Sequence, residues 1–159
     1  MIKILVMSDT HANHKLLGSV LKLNQDCNFL IHLGDEPDDL DYHMDLTRNM
    51  QIFYVYGLSH NRWTKKNASL NFAIQKVDFS IAHAKEYLEF KNTNCIYCFG
   101  HTHHRHFEQH NDTILLNPGH LKNKSDRNEV AGYATIMLSE NTNIVFYDYE
   151  GNLLDSHEK

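Results

Sequence analysis

A chain of 159 residues is the size of one domain and is long enough to bury a core of its own. With 42% hydrophobic and 22% charged residues and no tract rich in Pro, Gly or Ser, its composition excludes a disordered or fibrous protein. A formal net charge of -5 argues against a broad nucleic-acid or anionic-membrane surface, which clustered Lys and Arg would have to supply, although the run RWTKK (62–66) could touch a small anion.

The first apolar run, IKILVM (2–7), reads as a buried strand. It is too short for a signal-peptide core or a membrane helix and enters Ser-Asp-Thr-His without a small-residue cleavage site, so a cytoplasmic protein is expected. Asn13 suits the cap of a helix over HKLLGSVLKL (14–23), whose apolar residues recur at helical spacing. A strand at 28–33, a helix at 39–50 and a strand at 51–56 complete a β-α-β-α-β unit with parallel strands. Strands follow at 69–77 and 79–84, with Asp78 as the turn, then at 95–99, 104–110, 113–117, 133–138 and 143–149, with Asn111-Asp112 joining one pair. This second half reads as hairpins, and a single domain spans 1–159 without linker or repeat. Cys95 and Cys98 lie three apart on a strand and so face opposite sides; with Cys27 they read as buried free thiols, not a zinc knuckle or a redox pair.

Polar residues fall in a pattern on this frame. Asp9 and His11 follow the first strand, Asp35 the second, His83 the strand at 79–84, and His101 and His103 the strand at 95–99. Loops at the carboxyl ends of strands in α/β sheets converge on ligand sites. Asp9-x-His11 and His101-x-His103 are two apart, so in extended chain each pair points one way and offers two ligands. Mixed carboxylate and imidazole donors suit Zn, Mn, Fe, Co or Ni better than Ca or Mg. Six donors are too many for one tetrahedral ion but natural for two ions sharing a carboxylate, the arrangement that attacks phosphate esters.

The segments SDTHAN (8–13), HLGD (32–35), VYG (55–57), IAHA (81–84), FGHTH (99–103) and LNPG (116–119) together resemble the ordered motif set of calcineurin-like metallophosphoesterases. The branch they are most similar to is that of the small bacterial and archaeal phosphodiesterases, related to the retromer scaffold subunit. The resemblance implies an α/β fold of two stacked mixed β-sheets flanked by helices. It also implies two divalent transition-metal ions, with Mn the first choice for assays: Asp9, His11 and His103 on the first, Asp35 bridging, His83 and His101 on the second. Of the remaining histidines, His104, His106 and His110 are expected on strand and surface. The implied activity is hydrolysis of a small phosphoester, a diester before a monoester, by attack of a metal-bound water.

Departures from the family pattern are equally plain. Gly57-Leu58-Ser59-His60-Asn61 puts Leu58 where the family has an asparagine ligand of the second metal, and an apolar side chain coordinates nothing. His60 or Asn61 could swing in as a substitute, and His60 is also the candidate general acid. His83-Ala84-Lys85 replaces the usual His-Gly-His, and 85–94 leaves room only for a shortened helix. The competing reading is therefore a weak or inactive scaffold on the same fold with a degraded second metal site; a barrel-type amidohydrolase would need a longer chain. Self-association into a homo-oligomer is left open by the sequence.

Overall fold

The computed structural model describes residues 1–159. Strand β1 (Ile2–Met7) is buried on both faces over Ile4–Met7, as the apolar run after Lys3 requires. Helix α1 (His14–Leu23) begins where the Asn13 side chain accepts a hydrogen bond from the Leu16 N–H at 3.1 Å, and it buries Leu16, Leu17, Val20 and Leu21. Strand β2 (Phe29–His32) and strand β3 (Gln51–Tyr54) extend the sheet in parallel, with Leu5 opposite Leu30 and Leu30 opposite Ile52.

Between β2 and β3 the expected helix at 39–50 is instead a 3-10 helix, Pro37–His43, running into one turn of α-helix, α2 (Met44–Thr47). Pro37 sets the start, and the tight winding turns Asp39 inward, where its carboxylate accepts from the Thr10 hydroxyl at 2.6 Å and the Ala12 N–H at 2.9 Å. Tertiary hydrogen bonds of Asp39 thus override the helical periodicity that the sequence suggested.

The second half contains β4 (Ser69–Ile74), β5 (Val77–Ala82), β6 (Cys95–Phe99), β7 (Arg105–His110), β8 (Thr113–Pro118), β9 (Ser125–Asp126), β10 (Glu129–Val130), β11 (Gly132–Leu138), β12 (Thr142–Asp148) and β13 (Leu153–Glu158). The β4–β5 turn is at Gln75-Lys76 and not at Asp78: Ile74 pairs with Val77, Gln75 takes the positive φ (54°) that a tight hairpin needs, and Asp78 sits in β5 opposite Ala73. Asn111 (φ 51°) does turn β7 into β8 as expected.

The strands form a six-stranded sheet in the order β13-β12-β11-β1-β2-β3 and a five-stranded sheet in the order β4-β5-β6-β8-β7. Both are mixed. The β-α-β-α-β unit and the later strands do not make up one sheet each, because β11 returns to pair antiparallel with β1, bringing β12 and β13 into the first sheet. Nor is the second sheet made of hairpins alone, since β5, β6 and β8 run parallel.

The core lies between the sheets: Ile4, Val6, Ile31 and Leu33 from the first meet Phe79, Ile81, Ile96, Cys98, Ile114 and Leu116 from the second. Residues alternating with these, Leu5, Met7 and Leu30, pack under α1. Each such aliphatic side chain contributes roughly 1.5–3 kcal/mol by leaving water. Two stacked aromatic pairs flank this core: Phe53 on Phe72 (ring centroids 3.8 Å apart) between β3 and β4, and Phe107 on His157 (3.7 Å) between β7 and β13.

Behind the second sheet there is little helix. Residues 83–94 carry only a 3-10 turn, Lys85–Tyr87, and cover Tyr97, Phe99 and Cys95 with Leu88 and Tyr87. Cys95 and Cys98 face opposite sides of β6, all three cysteines are free and buried, and burial pushes the Cys27 thiol up to about 12 and Cys95 to about 11. No helix is long and apolar enough to cross a membrane.

Candidate metal centre

The parallel strands β1 and β2 of one sheet and β5 and β6 of the other end at the same rim, and the loops beyond them are laced together. Asp9 N–H donates to the Gly34 carbonyl (2.9 Å), Thr10 N–H to the Asp35 carbonyl (3.2 Å), and Gly100 N–H to the His83 carbonyl (2.8 Å). Asp9, His11, Asp35, His101 and His103 all have left-handed backbone, with φ between 45° and 67°. The extended geometry expected for the two paired motifs is therefore replaced by sharp left-handed turns, which fold each ligand loop back over its strand end. A non-glycine residue held there costs on the order of 1–2 kcal/mol, which the surrounding hydrogen bonds must outweigh.

These turns bring Asp9, His11, Asp35 and His103 together, with one donor atom of each within 4.8 Å of all the others. His103 Nε2 lies 3.2 Å from Asp9 Oδ1 and 3.3 Å from His11 Nε2, and His11 Nε2 lies 3.3 Å from Asp35 Oδ2. Asp9 is fully buried; its Oδ2 accepts from the Ser8 hydroxyl (2.5 Å) and the His101 N–H (3.0 Å), while Oδ1 has no hydrogen-bond partner.

Asp35 divides its two oxygens between two groups of histidines. Oδ2 faces His11, and Oδ1 faces His83 Nε2 at 3.4 Å. His83 Nδ1 is 2.7 Å from the Leu33 carbonyl, which only accepts, so this nitrogen carries the hydrogen. A neutral imidazole held this way turns the Nε2 lone pair toward a carboxylate oxygen, and that buried Nε2 has no partner. Acceptors aimed at one another at Asp9, Asp35 and His83 are the arrangement a cation would satisfy. His101 stands edge-on to His83, ring centroids 5.1 Å apart. The first four donors thus converge closely, whereas the other oxygen of Asp35 faces His83, with His101 standing beside that ring.

The 57–63 loop supplies no further donor here. Leu58 is half-buried and apolar, and Asn61 is exposed. His60 lies against Tyr56 (ring centroids 4.4 Å); its Nδ1 accepts from the Arg62 N–H at 3.1 Å and its Nε2 is 3.3 Å from Asp38 Oδ2. Both ring nitrogens of His60 are thereby engaged away from the cluster. His106 and His110 lie on β7 and His104 just before it, outside the cluster.

Electrostatics follow from this packing. Burial works to raise the Asp9 pKa, but the imidazoles of His103 and His83 beside it and the hydrogen bond from Ser8 hold it below the usual carboxylate range. Burial works to lower His103, yet the Asp9 carboxylate beside it and its hydrogen bond with Asp126 raise it above the usual value. The fully buried His32 is pushed down to about 4, chiefly by burial.

Sequence reasoning missed the residues that hold the ligand loops. Asp39 fixes Thr10 and Ala12, between and beside the candidate ligands Asp9 and His11. Asn117, fully buried, donates to the Gly100 carbonyl (2.9 Å) and Thr102 Oγ1 (3.1 Å). Asp126 bonds His103 Nδ1, and Arg127 Nη1 donates to the carbonyls of His101 and Thr102. Asn117 lies within the LNPG segment (116–119), but the others stand in segments that carry no spacing signal.

Residues 2–141 match the model of the calcineurin-like phosphoesterase superfamily domain. No functionally curated protein matches the chain significantly. Among solved structures, the chain is similar to the phosphoesterase YfcE from E. coli (TM-score 0.76, 17% identity, 98% of each chain covered). It is similar to an archaeal phosphodiesterase (TM-score 0.62, 22% identity, 99% of each chain). A third likeness is to Vps29 from Entamoeba histolytica, solved in complex with Zn2+ (TM-score 0.67, 16% identity, 99% of this chain and 98% of that one).

Proposed function

The chain belongs to the calcineurin-like phosphoesterase superfamily, and from that premise we propose that it hydrolyses a small phosphoester, a diester before a monoester, at a centre of two divalent transition-metal ions. The observation that carries this reading is Asp35, whose two oxygens face different histidines, His11 at 3.3 Å and His83 at 3.4 Å, while Asp9 Oδ1 and His83 Nε2 lack partners. Asp9, His11, Asp35 and His103 would hold the first ion; Asp35, His83 and His101 would hold the second, three protein ligands being enough for a catalytic metal. Such ions, Mn in the first instance, supply Lewis acidity toward a phosphoryl oxygen and lower the pKa of water.

The protein's own part is preorganisation. Ser8 and the His101 N–H occupy Asp9 Oδ2, which leaves Oδ1 directed at the centre, and the Leu33 carbonyl fixes the His83 ring. His60 is proposed as the group that hands a proton to the leaving oxygen. Since its Nδ1 accepts the Arg62 N–H, Nε2 is the nitrogen free to do so, and it must turn from Asp38 to act. Three free buried thiols are in keeping with a cytoplasmic setting.

A second reading, a scaffold with a crippled second site, is favoured by Leu58 alone. Metal analysis of the purified protein, with Mn2+-supplemented hydrolysis of bis-p-nitrophenyl and p-nitrophenyl phosphate, separates the two. Two bound ions with turnover of the diester support the enzyme. One ion and no turnover of either ester, with Leu58→Asn restoring nothing, support the scaffold.

A further inference from the structure

We propose that the β9–β10 hairpin is a positioning element for the metal-ligand loop, and that Asp126 orients His103 so that it offers Nε2, not Nδ1, to an ion. This rests on the metal-centre reading above. Asp126 Oδ2 lies 2.5 Å from His103 Nδ1, on a ring that is 3% exposed. A carboxylate in that position accepts, so Nδ1 carries the hydrogen and the lone pair is left on Nε2, the nitrogen 3.2 Å from Asp9 Oδ1.

Arg127, the next residue, acts on the same loop from the main-chain side. Its Nη1 donates to the carbonyls of His101 and Thr102, both at 3.2 Å, across a segment in which His101 and His103 hold φ of 67° and 65°. The hairpin is itself unusual: Arg127 and Asn128 both have positive φ (51° and 63°), as a two-residue type I′ turn demands, although arginine is a poor residue for that conformation. Its side-chain contacts with the ligand loop give a reason for arginine there. Glu129 anchors the far strand through Arg105 Nε at 2.6 Å, and its carbonyl accepts from His120 Nε2 at 3.1 Å. Asp126 also meets Lys122 Nζ (3.4 Å) and Arg127 Nε (3.7 Å), so a plain surface ion pair is the competing account.

Two measurements on the full-length chain decide between them. In metal-free protein with neutral imidazoles, long-range 15N–1H correlation NMR should find His103 protonated on Nδ1, and Asp126→Ala should shift it toward the Nε2–H form. By calorimetric titration with Mn2+, Asp126→Ala should weaken the tighter binding step by about 10–100-fold. Asp126→Asn, whose amide oxygen still accepts, should lose less, and Arg127→Ala should weaken binding without changing the tautomer. An Nε2–H tautomer in the wild-type protein overturns the proposal without any variant, even if Asp126→Ala does not fold. Equal Mn2+ affinity in wild type and Asp126→Ala overturns it as well, leaving the metal centre standing. Conversely, an Asp126-dependent Nδ1–H tautomer in a protein that binds no Mn2+ upholds the positioning and removes the metal-centre reading.

Discussion

Gly57→Ala tests whether Asp35 is the hinge of the centre. An added Cβ at residue 57 would stand 1.8 Å from Asp35 Oδ1 and 2.8 Å from the Asp35 backbone nitrogen, where ordinary contact begins at 3.4 Å. The carboxylate oxygen must therefore retreat by about 1.6 Å, and the nearby backbone atom denies it a cheap route. Metal–donor distances tolerate only about 0.2 Å. Because one oxygen of Asp35 faces His11 and the other His83, both ion sites fail together. Mn2+ affinity should fall by more than about 100-fold at both steps, since displacing a direct ligand exceeds the 10–100-fold typical of losing a supporting contact. The metal-free fold should lose about 1–3 kcal/mol, the usual cost of overpacking, measured by urea unfolding. Asp35→Ala removes the carboxylate that makes the closest collision and leaves only the backbone nitrogen, so adding Gly57→Ala to it should cost less stability than Gly57→Ala costs alone. Two ions bound at wild-type affinity by Gly57→Ala would refute the reasoning.

The other perturbations address neighbouring parts of the site. Leu58→Asn restores an amide donor beside the second group and should tighten the weaker of two Mn2+ binding steps and raise diester turnover; unchanged binding and rate count against a degraded second site. With His60→Ala, loss of rate with metal retained marks a proton donor, and loss of metal marks a replacement ligand. His32 predicts an acid sensitivity: its pKa is about 4 folded against an ordinary 6.5, so its contribution is complete above pH 6.5 and is lost as pH falls toward 4, reaching about 3 kcal/mol at 1.36 kcal/mol per unit. Urea unfolding of metal-free protein at pH 7 and pH 5 should therefore show a larger stability loss in wild type than in His32→Gln, and equal losses would contradict it. Asn117→Ala leaves the buried Gly100 carbonyl without its side-chain donor and should cost about 1–3 kcal/mol in urea unfolding, with weaker Mn2+ binding because the His101–His103 loop loosens.

The parts of the molecule legible in the sequence are those set by local chemistry. The Asn13 cap and the periodic leucines of α1 fix that helix, the apolar runs ILVM and CIYCF mark β1 and β6, and Asn111 marks the β7–β8 turn. Six candidate ligands could be found because each follows an apolar run directly. What resisted was decided by distant partners. Strand β13, LLDSHE, is a mostly exposed edge strand whose pairing with β12 gives it order without any apolar alternation. Helical pattern at 39–50 yields to the turn that carries Asp39 to Thr10 and Ala12. The Arg127-Asn128 hairpin lacks the Asn-Gly or Asp-Gly signature of its turn type, so neither Asp126 nor Arg127 could be connected to residues more than twenty positions earlier.

The two sheets contribute three candidate ligands each to the centre, and that division has a mechanical meaning. Asp9, His11 and Asp35 leave strands of the six-stranded sheet, whereas His83, His101 and His103 leave the five-stranded one. An ion shared among them would be a reversible cross-link closed over one end of the hydrophobic interior, adding to the packing, the chain connections and the hydrogen bonds from His101 N–H to Asp9 and from His83 to the Leu33 carbonyl that already join the layers. It would reinforce the folded state by about 2.7 kcal/mol at a free concentration one hundred times its dissociation constant. Resistance to heat and to layer separation at that rim would then rise and fall with the supply of metal.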